Sequence, residues 1–253
     1  MAGLRYVYAV CRPFDTPLQS QLTGVAGAPP GLLRHRGLVA VVSTVPEADF
    51  GEEAFQAHLE DPVWLAATVR AHRGVIAALA TVTTPLPLRL GTVCEDDSVV
   101  RTLLETHEDS FRRVLDRLEG RVEWGVKVYT EPTAAPGSAR EPGSAAGAGV
   151  PAGPGFAAEP GEAFVRTLHE RLAGRAEACR VRVPACTPPG HAARNVLDAA
   201  YLVPRVHCEE FVELVDRTRA EEPGVRVELT GPWAAYSFTG EETRYSFTGE
   251  EPR

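Results

Sequence analysis

The feature that most limits how this chain can fold is the run at 132–160, PTAAPGSAREPGSAAGAGVPAGPGFAAEP. It is almost entirely alanine, proline, glycine and serine. Such a run offers too little apolar side chain to offset the entropy lost on ordering it, so it reads as a mobile linker. The chain on either side has ordinary apolar content, with 44 % hydrophobic residues overall. Two separately folded parts are therefore expected, at 1–131 and 161–229, followed by a tail at 230–253.

In the first part, Leu4–Cys11 is rich in aromatic and β-branched residues and is closed off by Pro13, the pattern of a strand. Leu38–Val45 is continuously apolar and ends at Pro46, as a buried central strand does. Glu52–Leu59 suits a short helix. Asp61 then offers its carboxyl to the free amides of a helix whose first residue, Pro62, has no N–H to satisfy. Leu65, Val69, Ile76 and Leu79 follow at helical spacing. Val82–Val93 reads as an extended edge that becomes a strand over LRLGTV. One long helix is expected from Asp96 or Asp97 to Gly120, with Val100, Leu103, Leu104, Phe111, Val114, Leu115 and Leu118 on one face. Val122–Thr130 alternates with period two and reads as a half-buried strand.

The second part reads as helix (Phe164, Val165, Leu168, Leu172), strand (Cys179–Val183), strand (Asn195–Val203), helix (Cys208–Ala220) and strand (Val225–Leu229). That order approaches a split βαβ, ferredoxin-like sandwich, so the fold class is α+β.

The tail holds an internal repeat, YSFTGEE at Tyr236–Glu242 and again at Tyr245–Glu251. Two short copies are too few for a solenoid and read as a local duplication. Trp233, Tyr236, Phe238, Tyr245 and Phe247 make the tail the candidate binding segment. Aromatic side chains supply much contact area at low entropy cost, whether they dock on a partner or on the chain's own body. The expectation is that removing Thr239–Arg253 leaves folding unchanged, and that removing Trp233 and Tyr236 lowers stability.

Charge and motif content narrow the function. The formal net charge is -8 and Lys127 is the only lysine, which disfavours phosphate backbones and anionic membrane surfaces. The N-terminus lacks the pattern of a signal peptide, and no apolar run is long enough to span a bilayer, so a cytoplasmic location is expected. The five cysteines, Cys11, Cys94, Cys179, Cys186 and Cys208, are irregularly spaced and read as free thiols. Cys179, Cys186, His191, His207 and Cys208 lack the paired-knuckle spacing of structural zinc. His207 and Cys208, being adjacent, diverge and form a poor catalytic pair. His72 and His107 fall beside apolar helical faces, where a packed, hydrogen-bonded histidine is the usual outcome. The cluster Glu95–Asp96–Asp97 suits a helix start better than a cation. No phosphate-binding glycine loop or nucleophile elbow occurs. No catalytic, cofactor or metal residue is assigned.

Several segments together resemble the gas vesicle accessory proteins of the F and L type, the GvpF/GvpL family. The opening strand RYVYAV, the stretch Pro85–Val128, the segment LDAAYLV at Leu197–Val203 and the terminus LTGPWAAYSF at Leu229–Phe238 carry the resemblance. It spans both parts of the chain. It implies two α+β domains of ferredoxin-like character, no enzymatic activity, and association with the shell protein GvpA and other accessory proteins. Three features depart from the family pattern. Ala234 and Ala235 stand where members carry prolines, the linker is long, and the second YSFTGEE copy is an addition. The competing classes are a ferredoxin-like nucleic-acid module, which wants basic residues this chain lacks, and a thiol- or metal-dependent enzyme.

Overall fold

A computed structural model describes residues 3–18, 21–130, 160–183, 193–218 and 222–240. The expected linker, apart from Pro160, lies outside the described residues, as do Cys186, His191, Tyr245, Phe247 and the second YSFTGEE copy. Contacts divide the chain into two units, Met1–Glu123 with Pro232–Arg253, and Trp124–Gly231. The divisions fall inside two strands rather than at the composition changes near 131 and 229.

The first unit is built on β1 (Leu4–Cys11), β2 (Gly31–His35), β3 (Leu38–Val45), β4 (Leu86–Pro87) and β5 (Val93–Cys94). The sheet order is β2-β3-β1-β4, with β5 also pairing β1, and the pairings are antiparallel. Every residue of β1 from Tyr6 to Cys11 is buried. The register of β1 against β3 shifts between Val7 and Ala9, so one extra residue breaks the alternation there. β2 was not anticipated. It joins β3 through Arg36 and Gly37, whose φ values of 46° and 71° make the tight turn that matches strand twist.

Around the sheet lie α1 (Glu47–Phe50), α2 (Glu52–His58), α3 (Pro62–Val82), α4 (Asp97–Thr106) and α5 (Glu108–Leu118). The Asp61 cap on α3 forms as expected, accepting from the amides of Val63 and Trp64 at 2.8 and 3.2 Å. Asp96 caps α4 through Ser98 and Val99, while Asp97 pairs with Arg5 at 2.6 Å.

Two expectations fail here. The single helix from 96 or 97 to 120 is two, α4 and α5, interrupted at His107, where φ -114° and ψ 17° leave the helical region. The apolar face runs through the break, so periodicity alone cannot reveal it. The expected strand over LRLGTV does not form: of those residues only Val93 lies in a strand, and the pairings here are the short β4, just before the run, and β5. Gly91 (φ +81°) turns the chain between them, and a Cβ there would lie 2.4 Å from Phe55 Cζ. Gly91→Ala is therefore expected to cost about 2 kcal/mol from left-handed strain and overpacking, read as a lowered denaturant midpoint.

The second unit contains most of β6 (Arg121–Thr130), then α6 (Pro160–Ala173), β7 (Ala178–Arg182), β8 (Arg194–Pro204), α7 (Cys208–Thr218) and most of β9 (Val225–Trp233). The chain order is β-α-β-β-α-β, and the sheet order is β7-β8-β6-β9. Tyr201 on β8 is fully buried, with its ring 5.5 Å from Phe211 of α7. Its hydroxyl lies 2.7 Å from His169 Nδ1 of α6. Trp124 of β6 stacks on Phe211 at 6.3 Å. Among the described residues no helix is long and apolar enough to cross a membrane.

Candidate functional site

The described part of the tail folds onto the first unit, and each residue of its YSFT segment has a definite role. Tyr236–Phe238 forms a short 3-10 turn. Ser237 donates twice to the buried carboxyl of Glu123, from its backbone N–H to Oε2 and from its hydroxyl to Oε1, both at 2.7 Å. The Phe238 side chain is 4 % exposed, and its carbonyl accepts from Arg117 Nη2. Thr239 is also buried, and its hydroxyl donates to the Tyr236 carbonyl at 3.1 Å. Ala234 packs against the buried cluster of the first unit.

Tyr236 lies beside a buried aromatic group. Its ring centroid is 6.3 Å from that of His72 on α3. Burial pushes its hydroxyl pKa up; Arg73 opposes the shift and Glu123 adds to it. His72 lies 3.0 Å from the Tyr6 hydroxyl through Nδ1. The Gly91 amide donates to the same hydroxyl at 3.2 Å, and the other ring nitrogen of His72 is Nε2. No described residue partners that Nε2. Burial, with a smaller contribution from Arg73, lowers the His72 pKa to about 4. Tyr6, Tyr8, Phe50 and His72 pack ring against ring at 5.0–5.9 Å. The Tyr8 hydroxyl donates to Ser43 and accepts from the Val25 amide, tying the 24–29 loop to the sheet.

The predicted aromatic residues therefore separate. Phe238 is buried, Tyr236 is partly covered, and Trp233 is 52 % exposed. Tyr245 and Phe247 lie outside the described residues. Trp233→Ala is accordingly expected to change stability by less than about 1 kcal/mol, as surface substitutions do, measured by urea titration. Glu123, Arg117 and His72 are the residues that sequence reasoning missed as the tail's seat. Glu123 and Ser237 are 114 positions apart, and no local pattern links them.

The titratable groups elsewhere are dispersed. Burial raises the Cys11 thiol to about 12, and burial with Asp96 raises Cys94 to about 11, the reverse of what a nucleophilic thiolate needs. Cys208 accepts from Trp124 Nε1 at 3.4 Å, and His207 faces Glu210 at 3.7 Å. Among the described residues no group of three or more His, Cys, Asp or Glu side chains could hold a metal ion.

These features define a two-sheet α+β protein whose C-terminal segment is seated on its first unit. Comparison with known proteins then places it. Residues 4–149 and 156–240 match the model of the family "Gas vesicle synthesis protein GvpL/GvpF". The chain is similar to Gas vesicle protein L of Streptomyces sp. (strain CB03234), 53 % identical over 247 residues, covering 93 % of this chain and 92 % of the relative. It is also similar to Gas vesicle protein F of the same strain, 25 % identical over 247 residues, covering 92 % and 98 %. The fold matches the crystal structure of GvpF from Anabaena sp. PCC7120, with a TM-score of 0.68 at 17 % identity, covering 94 % of this chain and 98 % of that one. GvpF from Microcystis aeruginosa gives 0.65 at 19 % identity, with 94 % and 99 % covered. The chain belongs to the GvpL/GvpF family of gas vesicle synthesis proteins.

Proposed function

We propose that this protein is a non-enzymatic accessory or minor structural component of gas vesicle assembly that binds the hydrophobic shell protein GvpA and other accessory proteins in the cytoplasm. The observation that carries this reading is the 53 % identity to Gas vesicle protein L along nearly the whole of both chains. The physical rationale is that a subunit apolar enough to face gas aggregates as a free monomer, so it needs a binder that covers it until delivery. The non-enzymatic reading rests on chemistry: the buried thiols are held protonated, and His72 is turned into the core against Tyr6. The net charge of -8 supports protein rather than nucleic-acid or membrane partners. In this reading Trp233 offers the exposed aromatic surface of the tail to a partner, while Tyr236 and Phe238 hold the tail in place.

Co-expression tests the proposal. Shell protein produced alone is expected in the insoluble fraction, and with this chain a substantial share should become soluble and copurify. An unchanged soluble fraction with no copurification would sink it.

A further inference from the structure

The outer edge of the first sheet has the features of a docking site for an extended chain. Among the described residues β2 ends the sheet and pairs only with β3. Its turn is two residues long, so the flanking pair His35 and Leu38 exchange both backbone bonds. The same holds at every second position, for Leu33 with Ala40 and Gly31 with Val42. The backbone N–H and C=O of Leu32 and Arg34 therefore point away from β3. No described residue bonds to any of these four groups. An open strand edge of this kind pairs readily with another extended segment.

The surroundings select what kind of segment. A groove of about 370 Å³ runs along the edge, lined by Arg5, Leu32, Arg34, Arg101 and Asp97 among others. Its charged residues are three guanidinium groups against one carboxyl, in a chain whose overall charge is -8. Arg5 is paired with Asp97, and Arg34 donates to the Phe14 carbonyl at 3.1 Å. Arg101 is exposed and pairs with no described residue. Arg5 pairs in register with Thr44, and Gly31 with Val42, so Arg5, Gly31, Leu33, Val42 and Thr44 share the face that carries the groove. Leu32 and Arg34, opposite Val41 and Val39, belong to the other face and line the groove only at the strand edge; Leu32 is 37 % exposed. A strand added at this edge alternates between the two faces, one row of side chains toward Arg101 and the next beside Leu32.

We propose that the β2 edge is a β-augmentation site for an extended protein segment in which acidic and apolar residues alternate. The backbone groups of Leu32 and Arg34 supply the pairing, Arg101 reads the acidic row, and Leu32 packs against the apolar row. This site is independent of the proposal about the shell protein and stands or falls separately from it.

The test titrates the full chain with a capped hexapeptide of alternating valine and glutamate, followed by fluorescence anisotropy at low salt. A valine–lysine peptide serves as control. Saturable binding of the glutamate peptide is expected, at least about tenfold tighter than the lysine peptide. Arg101→Glu, an exposed substitution, should weaken it by about tenfold or more and narrow the preference. Leu32→Pro removes an outward N–H that β3 does not use and should abolish binding in a chain that keeps its circular dichroism. If that variant fails to fold, Arg101→Glu decides alone. No binding by the wild type, equal binding of both peptides, or binding unaffected by Arg101→Glu overturns the proposal.

Discussion

Phe238→Ala is expected to destabilise the protein by about 3–5 kcal/mol, the usual cost of emptying a buried aromatic site, whereas a chain ending at Gly240 keeps wild-type stability. The Phe238 side chain is 4 % exposed. Its turn is held on both sides, by Ser237 on Glu123 and by Arg117 on the Phe238 carbonyl. Glu123→Ala strips two acceptors from Ser237 at a buried position and should cost about 2–3 kcal/mol. The two substitutions break one clasp, so their combined cost should fall short of the sum. Urea midpoints with unchanged slopes are the readout. A chain ending at Gly240 that loses as much stability as Phe238→Ala would contradict this account. The cut belongs after Gly240 because Thr239 is buried and bonded to the Tyr236 carbonyl. A cut before Thr239 would remove both Thr239 and Gly240, the first of them buried.

The second large effect is acid sensitivity. His72 is 3 % exposed, and its pKa is lowered from 6.5 to about 4, chiefly by burial. Between those values the unfolded chain binds the proton and the folded chain does not, so acid favours unfolding. The stability that rests on neutral His72 is complete above about pH 6.5 and declines as the pH falls to about 4, by about 3 kcal/mol in total. His107, whose pKa burial also lowers, adds in the same direction. His72→Gln does not titrate, and its amide oxygen can accept from Tyr6, so its stability should vary less between pH 7 and 4. An identical pH profile for the two proteins would remove His72 as the cause.

Features written in a few adjacent residues were legible from sequence. Asp61 followed by Pro62 announced α3, and Leu38–Val45 announced a central strand, because cap chemistry and buried-strand patterning are local. The packed role of His72 followed from its place beside an apolar helical face. β2 was missed because Gly31–His35 is short and shows no clean alternation. Its existence depends on the Arg36–Gly37 turn delivering it to β3. The break at His107 was missed because Val100, Leu104, Phe111 and Val114 continue one apolar stripe across it. The tail's aromatic character was plain, but its seat was not. Trp233 and Phe238, five positions apart, meet opposite environments because Glu123 and Arg117 come from a distant part of the chain.

We propose that this member of the GvpL/GvpF family works by binding the vesicle shell protein. The most direct measurement immobilises the full chain and titrates freshly solubilised shell protein over it, with an unrelated acidic protein of similar size as reference. Saturable, stoichiometric binding to this chain and none to the reference is expected. Shell protein that binds both surfaces alike, or neither, would rule this role out.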